Sequence, residues 1–537
     1  MTLQLHRSAH VDTFCRRNLP PEETWPDLIF TLPELQYPER LNCSDRLLDR
    51  WVREGQGDRR CVIGAQEELT YAELQQRANQ IAHVLVQDLG VVPGNRVLLR
   101  SPNNPWAAAC WFAAVKAGAV VVSTMPLLRR AELKVVATTS ETELALCDAR
   151  FLEELQEAGV PGLRIVPFGA QSEDDLARLA ASKPATFENV DTADDDVMML
   201  AFTSGTTGKP KAAMHFHRDI LATCDTFSRL VLKPCGDDVF TGTPPLAFTY
   251  GLGGAILFPL DVGAATLLLE RNDPAEFLAQ ARRHGVTTIF SSPTFYRTLI
   301  PLLEQDPLPR LRAGVTAGET MPAATWQAFE RTAGVHIIDG LGSTEMLHIF
   351  VAATPDEMRP GATGKAVPGY LAQIQDDEGR ELPAGEPGLL AVKGPTGCRY
   401  LRGDRQGRYV QRGWNLTGDI YTQDEDGYLH YVSRADDMIV SSGYNIAGPE
   451  VEAALLLHAD IVEVAVVGVP DEQRGQIVKA FVHLRPGVAG DEALKVVLQD
   501  FCKAAIAPYK YPRAIEFVEV LPRTETGKLQ RFKLREA

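Results

Sequence analysis

A segment of nine residues, Thr203 to Lys211, combines the residue types that most directly indicate chemistry. It reads TSGTTGKPK and follows the apolar run VMMLAF. Glycine lets backbone N–H groups approach phosphate oxygens closely, hydroxyls add donors, and lysine adds positive charge. The segment therefore predicts a phosphate-binding loop after a strand. Its predicted contact residues are Thr203, Ser204, Gly205, Thr206, Thr207, Gly208 and Lys209.

The spacing inside this segment argues against a Walker A loop. Such a loop needs four residues between its glycines and a Ser or Thr directly after its Lys. Here two residues separate Gly205 from Gly208, and Pro210 follows Lys209. A P-loop NTPase is therefore disfavoured. An isolated cluster of this kind would also suit a surface turn, but its length and the preceding strand favour phosphate binding.

Alternating apolar and helix-like segments surround the phosphate loop and must position it. Short β-branched runs alternate with helical patterns between residues 96 and 147, and the same rhythm resumes between residues 264 and 338. Such alternation indicates layers of helices on a largely parallel sheet. The predicted fold class is therefore α/β, with a large N-terminal domain of α/β layers.

The character of the sequence changes after Pro360. Short apolar runs are separated there by turn-like segments such as DDEGRE and PAGEPG, which predict a β-rich subdomain at about 361–433. Beyond the polar segment SRADD, a helix, two apolar strands and a second helix are expected. We therefore predict a large N-terminal domain over 1–433, a hinge at 434–437 and a small α+β C-terminal domain over 438–537.

Composition limits the classes of partner. The 537 residues are enough for several domains, and a net charge of -16 opposes attraction to nucleic acid or anionic lipid. Nine cysteines with no CxxC pair are typical of free thiols in a reducing compartment. The longest uncharged stretch, 239–260, contains prolines and glycines that suit a buried strand and loop and argue against a membrane span. Since the start shows no apolar signal region, a cytoplasmic protein is expected.

Five short motifs occur in one order along the chain. After TSGTTGKPK come GLGSTE at 340–345, LTGD at 416–419, SRADD at 433–437 and PRTETGK at 522–528. Together they resemble the adenylate-forming superfamily, which includes acyl-CoA synthetases, nonribosomal adenylation domains and beetle luciferases. The resemblance implies activation of a carboxylate as its acyl-AMP, followed by attack of a thiol that expels AMP. It also implies that the small C-terminal domain is mobile about the hinge.

The resemblance implies roles for charged and polar residues in these motifs. Lys528 would bridge the carboxylate and the α-phosphate, Thr344 would bond the α-phosphate, and Glu345 would be the magnesium ligand. Asp419 would accept hydrogen bonds from both ribose hydroxyls, with Arg434 as a charged donor nearby. The implied cofactors are ATP and Mg²⁺, with coenzyme A as a co-substrate.

Further nucleotide and thiol contacts follow from the same resemblance. Leu341 stands where the superfamily often has an aromatic residue that stacks on adenine, so aliphatic contact would replace the stacking. Gly443 and Tyr444 would form the passage for the thiol arm of coenzyme A, and Asp436 would be the hinge residue. The remaining implied nucleotide contacts are Gly318, Glu319, Asp339, Gly340 and Gly342.

Three segments resemble the benzoate-CoA and 2-aminobenzoate-CoA ligase branch: FTYGLGG, GLGSTEMLHIF and SSGYNIAGPEVE. This resemblance implies a small aromatic acid as the substrate. A flat ring needs aromatic and aliphatic walls with a few polar groups. The implied pocket residues are Phe248, Thr249, Tyr250, His348 and Ile349. His348 would equally suit a buried structural histidine, and Val440 stands where benzoate ligases commonly have a lysine.

The sequence thus predicts an ATP-dependent aryl-CoA ligase that releases pyrophosphate and then AMP. Its predicted partners are a small aromatic carboxylic acid, ATP and coenzyme A, with a homodimer left open. The sequence leaves two alternatives open: an acyl-AMP ligase that loads a carrier-protein thiol, and a CoA ligase for a non-aromatic medium-chain acid. A luciferase-like oxygenase and a nucleotide-binding protein without turnover are disfavoured, because the benzoate-branch residues and the charged motif residues are present.

Overall fold

A computed structural model of the chain describes residues 5–170, 172–203, 211–319, 321–403, 405–441, 444–471, 474–506, 508–523 and 529–535. The chain divides into two compact units. The first comprises Met1–Ala372 and Val392–Asn415, and the second comprises Gln373–Ala391 and Leu416–Ala537. The predicted hinge at 434–437 lies within the second unit and, like the predicted domain limits, stays a prediction.

The strands are named in chain order. The earlier ones are β1 (Arg60–Ile63), β2 (Glu68–Thr70), β3 (Arg96–Arg100), β4 (Val120–Thr124), β5 (Leu144–Asp148), β6 (Arg164–Phe168), β7 (Val197–Thr203), β8 (Lys211–Phe216), β9 (Val239–Gly242), β10 (Ala265–Leu267), β11 (Thr288–Ser291), β12 (Ala313–Ala317), β13 (Ile337–Gly342), β14 (Ile349–Ala352) and β15 (Lys365–Ala366). The later ones are β16 (Leu371–Gln375), β17 (Gly388–Lys393), β18 (Val410–Gln411), β19 (Trp414–Gln423), β20 (Leu429–Arg434), β21 (Ile439–Ser441), β22 (Tyr444–Ile446), β23 (Ile461–Asp471), β24 (Gly475–Leu484) and β25 (Ala514–Phe517).

The α-helices are named in the same way. They are α1 (Phe14–Arg17), α2 (Arg50–Arg53), α3 (Tyr71–His83), α4 (Pro105–Lys116), α5 (Arg130–Thr139), α6 (Leu152–Glu157), α7 (Leu176–Ala181), α8 (His217–Thr223), α9 (Thr249–Leu252), α10 (Phe258–Asp261), α11 (Pro274–His284), α12 (Pro293–Gln305), α13 (Ala323–Ala333), α14 (Gln406–Tyr409), α15 (Gly448–Leu455), α16 (Glu492–Ala505) and α17 (Arg531–Arg535). π-Helical segments span Asp45–Asp49, Val84–Asp88, Cys224–Leu232 and Gly253–Leu257.

One sheet of the first unit carries the phosphate segment at its edge. Among the described residues it has six strands, in the order β6-β5-β3-β4-β7-β8. Neighbouring strands are parallel except for the antiparallel pair of β7 and β8. α4 packs beside β3 and β4. Its start is fixed because the Asn104 side chain accepts a hydrogen bond from the Ala107 N–H and Pro105 occupies the first helical position.

A second sheet of the first unit contains, in the described part of the chain, nine strands in the order β15-β14-β13-β12-β11-β9-β10-β1-β2. Its inner strands from β13 to β1 are mutually parallel, and β2, β14 and β15 add to the sheet in antiparallel pairs. Ligands of such sheets bind beyond the carboxyl ends of the strands. β12 and β13 lead at those ends into the predicted nucleotide contacts. The two sheets confirm the predicted α/β class.

The uncharged stretch 239–260 differs from its predicted strand and loop. β9 is present, but α9, a π-helical segment and α10 follow it. The glycines in this helical region serve close packing: a Cβ on Gly253 would overlap the His348 ring, and a Cβ on Gly254 would overlap the Phe290 ring. Glycine therefore marks a close approach here rather than a loop. None of the helices in the described residues is long and apolar enough to cross a membrane.

The short strands predicted after Pro360 form a sheet of their own. It runs β16-β17-β19-β18, and β20 pairs with β19 in antiparallel register. Turn segments connect the strands, as DDEGRE and PAGEPG predict. The short strands predicted there are confirmed, and the limits of the β-rich subdomain at about 361–433 stay a prediction.

The second unit ends in a small α+β core. Its sheet runs β22-β21-β24-β23, and β25 pairs in parallel with β24. α15 and α16 bury Val451, Leu455 and Leu498 against Val466 and Val482 of the long hairpin. The Asp491 side chain accepts a hydrogen bond from the Leu494 N–H and so begins α16. Both apolar strands and both helices predicted after SRADD are therefore confirmed.

Candidate active site

The phosphate segment closes a hairpin at the edge of the first sheet. β7 ends at Thr203 and β8 begins at Lys211, and these two residues are partners in the antiparallel register. The predicted contacts Ser204, Gly205, Thr206, Thr207, Gly208 and Lys209 lie outside the described residues. The structure thus gives the frame of the loop, a strand on either side of it, and its phosphate contacts stay predictions.

The loop between β13 and β14 carries Thr344 and Glu345. It begins with a tight turn, because a Cβ on Gly342 would lie 2.7 Å from the carbonyl oxygen of His348. Leu347 completes the turn with a φ of 72°, in the left-handed region that few residues other than glycine adopt. Backbone geometry on both sides therefore fixes the position of the segment that contains Thr344 and Glu345.

Side chains from distant segments hold this loop in place. His215 Nε2 donates a hydrogen bond to the Thr344 carbonyl at 2.8 Å, and the Thr396 hydroxyl donates to the Met346 carbonyl at 2.8 Å. The hydroxyls of Ser343 and Tyr409 are 3.0 Å apart. The Tyr400 hydroxyl donates to Glu345 Oε1. Residues 343 to 346 therefore each have a hydrogen bond to a side chain outside the loop.

The positively charged side chain of Lys211 lies near Glu345. Lys211 Nζ lies 5.2 Å from the centre of the Tyr400 ring, whose hydroxyl contacts Glu345. Burial lowers the pKa of Lys211, and Arg405 and Arg408 lower it further, while Glu345 opposes the shift. A lysine with arginines near it suits a polyphosphate, and a carboxylate suits the metal ion that accompanies one.

His215 is a neutral donor to the loop. Burial lowers its pKa to about 4, although the nearby Asp219 carboxylate opposes the shift. The Thr344 carbonyl can only accept a hydrogen bond, so the His215 proton is assigned to Nε2. Arg399 is fully buried behind this pair and donates to Asp219 Oδ2 at 2.8 Å.

His348 lies at the centre of an aromatic cluster. Its ring centre is 4.5 Å from that of Phe258, 5.6 Å from that of Phe227 and 5.7 Å from that of Tyr250. Burial lowers the pKa of His348 to about 3. Nε2 lies 3.4 Å from the Tyr250 carbonyl, and within the described residues Nδ1 has no hydrogen-bond partner. His348 is therefore a neutral, buried side chain with one unused acceptor.

The Tyr250 side chain connects α9 to the second sheet. Its hydroxyl donates to the Val315 carbonyl at 2.9 Å and lies 3.2 Å from the Ser291 carbonyl. Its ring is tilted against Phe290 with centres 5.7 Å apart. The hydroxyl is thus hydrogen-bonded within the protein, and the ring is the part of Tyr250 that could form a wall of the predicted acid pocket.

The other predicted acid-pocket residues lie on the same elements. Phe248 immediately precedes α9 and is half-buried, whereas Thr249 begins α9 and is buried. Ile349 begins β14 and is buried against Gly340, where a Cβ would lie 2.5 Å from Ile349 Cδ1. The structure therefore brings the predicted acid-pocket residues onto α9 and the start of β14.

The predicted nucleotide contacts on β12 and β13 lie side by side. Gly318 follows β12 with a φ of 88°, and Glu319 Oε2 accepts a hydrogen bond from Thr294 at 3.5 Å. Asp339 is buried within β13, which raises the pKa of its carboxyl to about 7, while the N–H of Met321 opposes the shift. Leu341 pairs with Val351 of β14. A buried carboxyl with a raised pKa is typical of functional sites.

The second unit places Asp419 beside Arg434. The two residues are partners in the pairing of β19 with β20, and Arg434 Nη1 donates to Asp419 Oδ1 at 2.9 Å. Asp419 follows Gly418, whose φ is 76°. Gly443 and Lys528 lie outside the described residues, as do the side chains of Asp436 and Tyr444. The predicted ribose pair is therefore assembled, and the remaining roles stay predictions.

A second cluster of possible metal ligands is occupied by ion pairs. Among the described residues, the atoms of His6, Asp194 and Asp195 lie close enough together to hold an ion. His6 Nδ1 is 2.6 Å from Asp194 Oδ1, Arg218 Nη1 is 3.0 Å from Asp194 Oδ2, and Arg16 Nη1 is 3.4 Å from Asp195 Oδ1. The arginines already neutralise these carboxylates, so the cluster is structural.

Sequence reasoning missed the residues that hold the loop between β13 and β14. His215, Thr396, Tyr400 and Tyr409 contribute to the site through hydrogen bonds to that loop. His215 lies shortly after the phosphate segment in the sequence, and this proximity is a signal that it could belong to the site. The other three lie in a segment whose residue types indicate only a loop.

Comparisons with known proteins agree with this arrangement. A family model described as AMP-binding enzyme matches residues 48–400, and a model described as AMP-binding enzyme C-terminal domain matches residues 450–528. The chain is 37% identical over 516 residues to a benzoate–CoA ligase of Thauera aromatica, a match that covers 94% of this chain and 98% of that protein.

Solved structures give the same result. The crystal structure of an anthranilate CoA ligase in complex with anthranoyl-AMP has a TM-score of 0.89 and 33% identity, and the match covers 94% of this chain and 98% of that one. A benzoate CoA ligase from Burkholderia xenovorans LB400 has a TM-score of 0.84 and 32% identity, with 92% and 100% covered.

Proposed function

The chain belongs to the AMP-binding enzyme family, and from this premise we propose that it is an aryl-CoA ligase that activates a small aromatic carboxylate with ATP. Family membership confirms the resemblance carried by the five motifs, and the enzyme is an adenylate-forming acid–thiol ligase. The proposal is the finer statement: the acid is benzoate or 2-aminobenzoate, and the thiol is that of coenzyme A.

The proposed reaction has two half-reactions. A carboxylate oxygen of the acid attacks the α-phosphorus of ATP, and the bond to the bridging oxygen of the β-phosphate breaks to release pyrophosphate. The thiol of coenzyme A then loses its proton and its sulfur attacks the acyl carbon, which displaces AMP. Negative charge gathers on the phosphates in the first step, so preorganised cations and donors contribute most of the rate. Lys528, Thr344 and the phosphate loop are proposed to supply them.

Glu345 fits a magnesium site by its donor chemistry. Mg²⁺ prefers carboxylate and phosphate oxygens as ligands. Glu345 is half-buried near Lys211, and one of its oxygens, Oε1, accepts the hydrogen bond from Tyr400. We assign Glu345 as the protein ligand of the ion that accompanies ATP. When bound, the ion would neutralise charge on the phosphates.

The observation that best supports an aromatic acid is the convergence of Tyr250 and His348. They are 98 positions apart in the sequence, yet their rings lie in one cluster with Phe290. Flat faces and little polarity suit an aryl ring. In the Nε2–H tautomer, Nδ1 of His348 is a buried acceptor. The ortho-amino group of 2-aminobenzoate is a donor that would satisfy it, which favours that acid over benzoate.

A panel of acids tests this proposal. AMP release is measured with benzoate, 2-aminobenzoate, hydroxybenzoates and hexanoate, each with and without coenzyme A. We expect the highest kcat/KM for 2-aminobenzoate or benzoate and AMP release that depends on coenzyme A. Faster turnover of hexanoate than of any aryl acid would instead support a medium-chain ligase. Transfer to a carrier-protein thiol but not to coenzyme A would support the carrier-loading alternative.

Further predictions from the sequence accompany this proposal and await their own tests. Gly443 and Tyr444 are proposed to line the passage for the pantetheine arm of coenzyme A. A cytoplasmic location and the open question of a homodimer are tested by cell fractionation and by the mass of the protein in solution. The departure at Val440 concerns which acid is used rather than the type of reaction.

A further inference from the structure

Tyr400 lies where the phosphate hairpin meets the loop that carries Glu345. The residues on either side of Tyr400 in the sequence form backbone hydrogen bonds with β8. The Met214 N–H donates to the Arg399 carbonyl at 2.8 Å, and the Leu401 N–H donates to the Ala212 carbonyl at 2.9 Å. The Tyr400 N–H donates to Gln406 Oε1 at 3.0 Å. Backbone hydrogen bonds on both sides therefore fix Tyr400 beside the strand that leaves the phosphate loop.

The Tyr400 side chain is equally constrained. It is 3% exposed, and its ring packs edge-on against Tyr409 with centres 6.0 Å apart. In the hydrogen bond to Glu345 the phenolic O–H is the donor, and the carboxylate oxygen accepts.

This hydrogen bond divides the two oxygens of Glu345. Oε1 accepts from Tyr400, whereas Oε2 has no hydrogen-bond partner among the residues that the structure describes. A hydrogen bond to one oxygen restricts the orientation of the carboxylate, and the other oxygen is left for a ligand. Residues that orient a metal ligand in this way commonly tune affinity for the metal.

We propose that Tyr400 is a positioning residue that orients Glu345 toward the magnesium ion of Mg·ATP. The inference rests on the proposed function, because it takes Glu345 as the ligand of that ion. Tyr400 touches neither the acid nor the reacting phosphorus in this account. Its hydroxyl acts through Glu345 alone.

The test replaces the hydroxyl and keeps the ring. Tyr400→Phe removes the donor. Tyr71→Phe is the matched control, because Tyr71 lies in α3 of the same unit, is also buried, and donates a hydrogen bond to the Ala264 carbonyl at 2.7 Å. Binding of ATP is measured by titration calorimetry, once with Mg²⁺ and once with EDTA. No acid is needed, so this measurement does not depend on the identity of the substrate.

We expect Tyr400→Phe to weaken Mg·ATP binding about tenfold, the size of a lost hydrogen bond to a charged group. Binding of metal-free ATP should match that of the unmodified enzyme, and Tyr71→Phe should bind both forms normally. In a Glu345→Ala background, Tyr400→Phe should have no further effect on Mg·ATP binding. Equal weakening of metal-free ATP, or an effect that persists in that background, would overturn the inference.

Kinetics separate this inference from the proposed function. Acid-dependent exchange of pyrophosphate into ATP should require about tenfold more Mg²⁺ in Tyr400→Phe, while thioester formation from supplied acyl-AMP stays unchanged. If none of the aryl acids supports exchange in the unmodified enzyme, the proposed substrate class is wrong. Calorimetry still tests the role of Tyr400 in that case, because it needs no acid. If exchange occurs and its Mg²⁺ requirement is the same in both proteins, the inference fails alone.

Discussion

Two regions with predicted nucleotide contacts are held by different means. The loop between β13 and β14 is fixed by side chains that come from far away in the sequence, among them His215 and Tyr400. Asp419 and Arg434, by contrast, face each other because neighbouring strands pair in register. The loop depends on tertiary contacts and the ion pair on local structure. Substitutions that touch no substrate should therefore affect the loop far more than the pair.

The largest expected effect separates the two half-reactions. Lys528→Ala should slow adenylation by at least about a hundredfold, because a cation that stabilises charge in the transition state is lost. Thioester formation from supplied acyl-AMP should be largely retained. Asp436→Pro should do the reverse, since a fixed φ hinders rotation about the predicted hinge. Both steps are measured separately, and an equal loss of both in either variant would contradict a rotation about the predicted hinge between the two half-reactions.

The acid pocket offers the next largest effect. Tyr250→Ala removes a half-buried ring and its hydrogen bond to the Val315 carbonyl. We expect at least a roughly tenfold loss in kcat/KM for aryl acids, with little change in KM for ATP. Tyr250→Phe is the milder control, because it keeps the ring that forms the wall. Unchanged acid preference in the alanine variant would place the pocket elsewhere.

A paired experiment addresses the comparison itself. His215→Ala removes the donor to the Thr344 carbonyl and should lower kcat for adenylation about tenfold by loosening the loop. His215→Gln should restore part of that rate, since its amide can donate. Asp419→Asn should mainly raise KM for ATP, because one acceptor oxygen and the charge opposite Arg434 are lost. If both sites change the same kinetic parameter, the distinction between them is wrong.

The smallest effect concerns stability against pH. His215, with a pKa of about 4, and His217 and His348, each with a pKa of about 3, are kept neutral by burial. Because unfolded histidine has a pKa of about 6.5, the unfolded state binds more protons below that pH, and stability should fall as the pH drops from about 6.5 to about 3. Asp339 acts in the opposite direction. Its pKa is raised to about 7 in the folded state, so the folded state binds the extra proton and acidification below about pH 7 adds stability from this one group.

His348→Phe isolates the contribution of one histidine. The free energy of unfolding is measured against pH for both proteins, and the variant should lose less stability on acidification by up to about 1.4 kcal/mol per pH unit. The aromatic cluster around position 348 should accept the phenyl ring. Parallel curves for the two proteins would mean that His348 becomes protonated in the folded state.

The sequence was informative where local pattern decides the structure. TSGTTGKPK after VMMLAF predicted a strand and loop, and the structure has β7 and β8 at its two sides. The pairing of Asp419 with Arg434 follows from motifs on adjacent strands. Both depend on short sequence separations, for which residue types and spacing carry most of the information.

Long-range contacts were beyond sequence reasoning. Tyr400 reaches Glu345 across 55 positions and His215 reaches Thr344 across 129. Nothing in the type of either residue specifies its partner, because many tyrosines and histidines are buried for packing alone. The helical glycines of 249–261 were missed for a related reason: their need for close approach depends on His348 and Phe290, which come from elsewhere in the fold.

The most direct test of the account follows the acyl group from acid to thioester. The enzyme is incubated with ATP, Mg²⁺ and 2-aminobenzoate or benzoate, and the products are identified by mass spectrometry before and after coenzyme A is added. The account predicts enzyme-bound aryl-AMP in the first sample and equal amounts of aryl-CoA and AMP in the second. An absence of aryl-AMP with both acids, or an aryl-AMP that persists when coenzyme A is present, would contradict it.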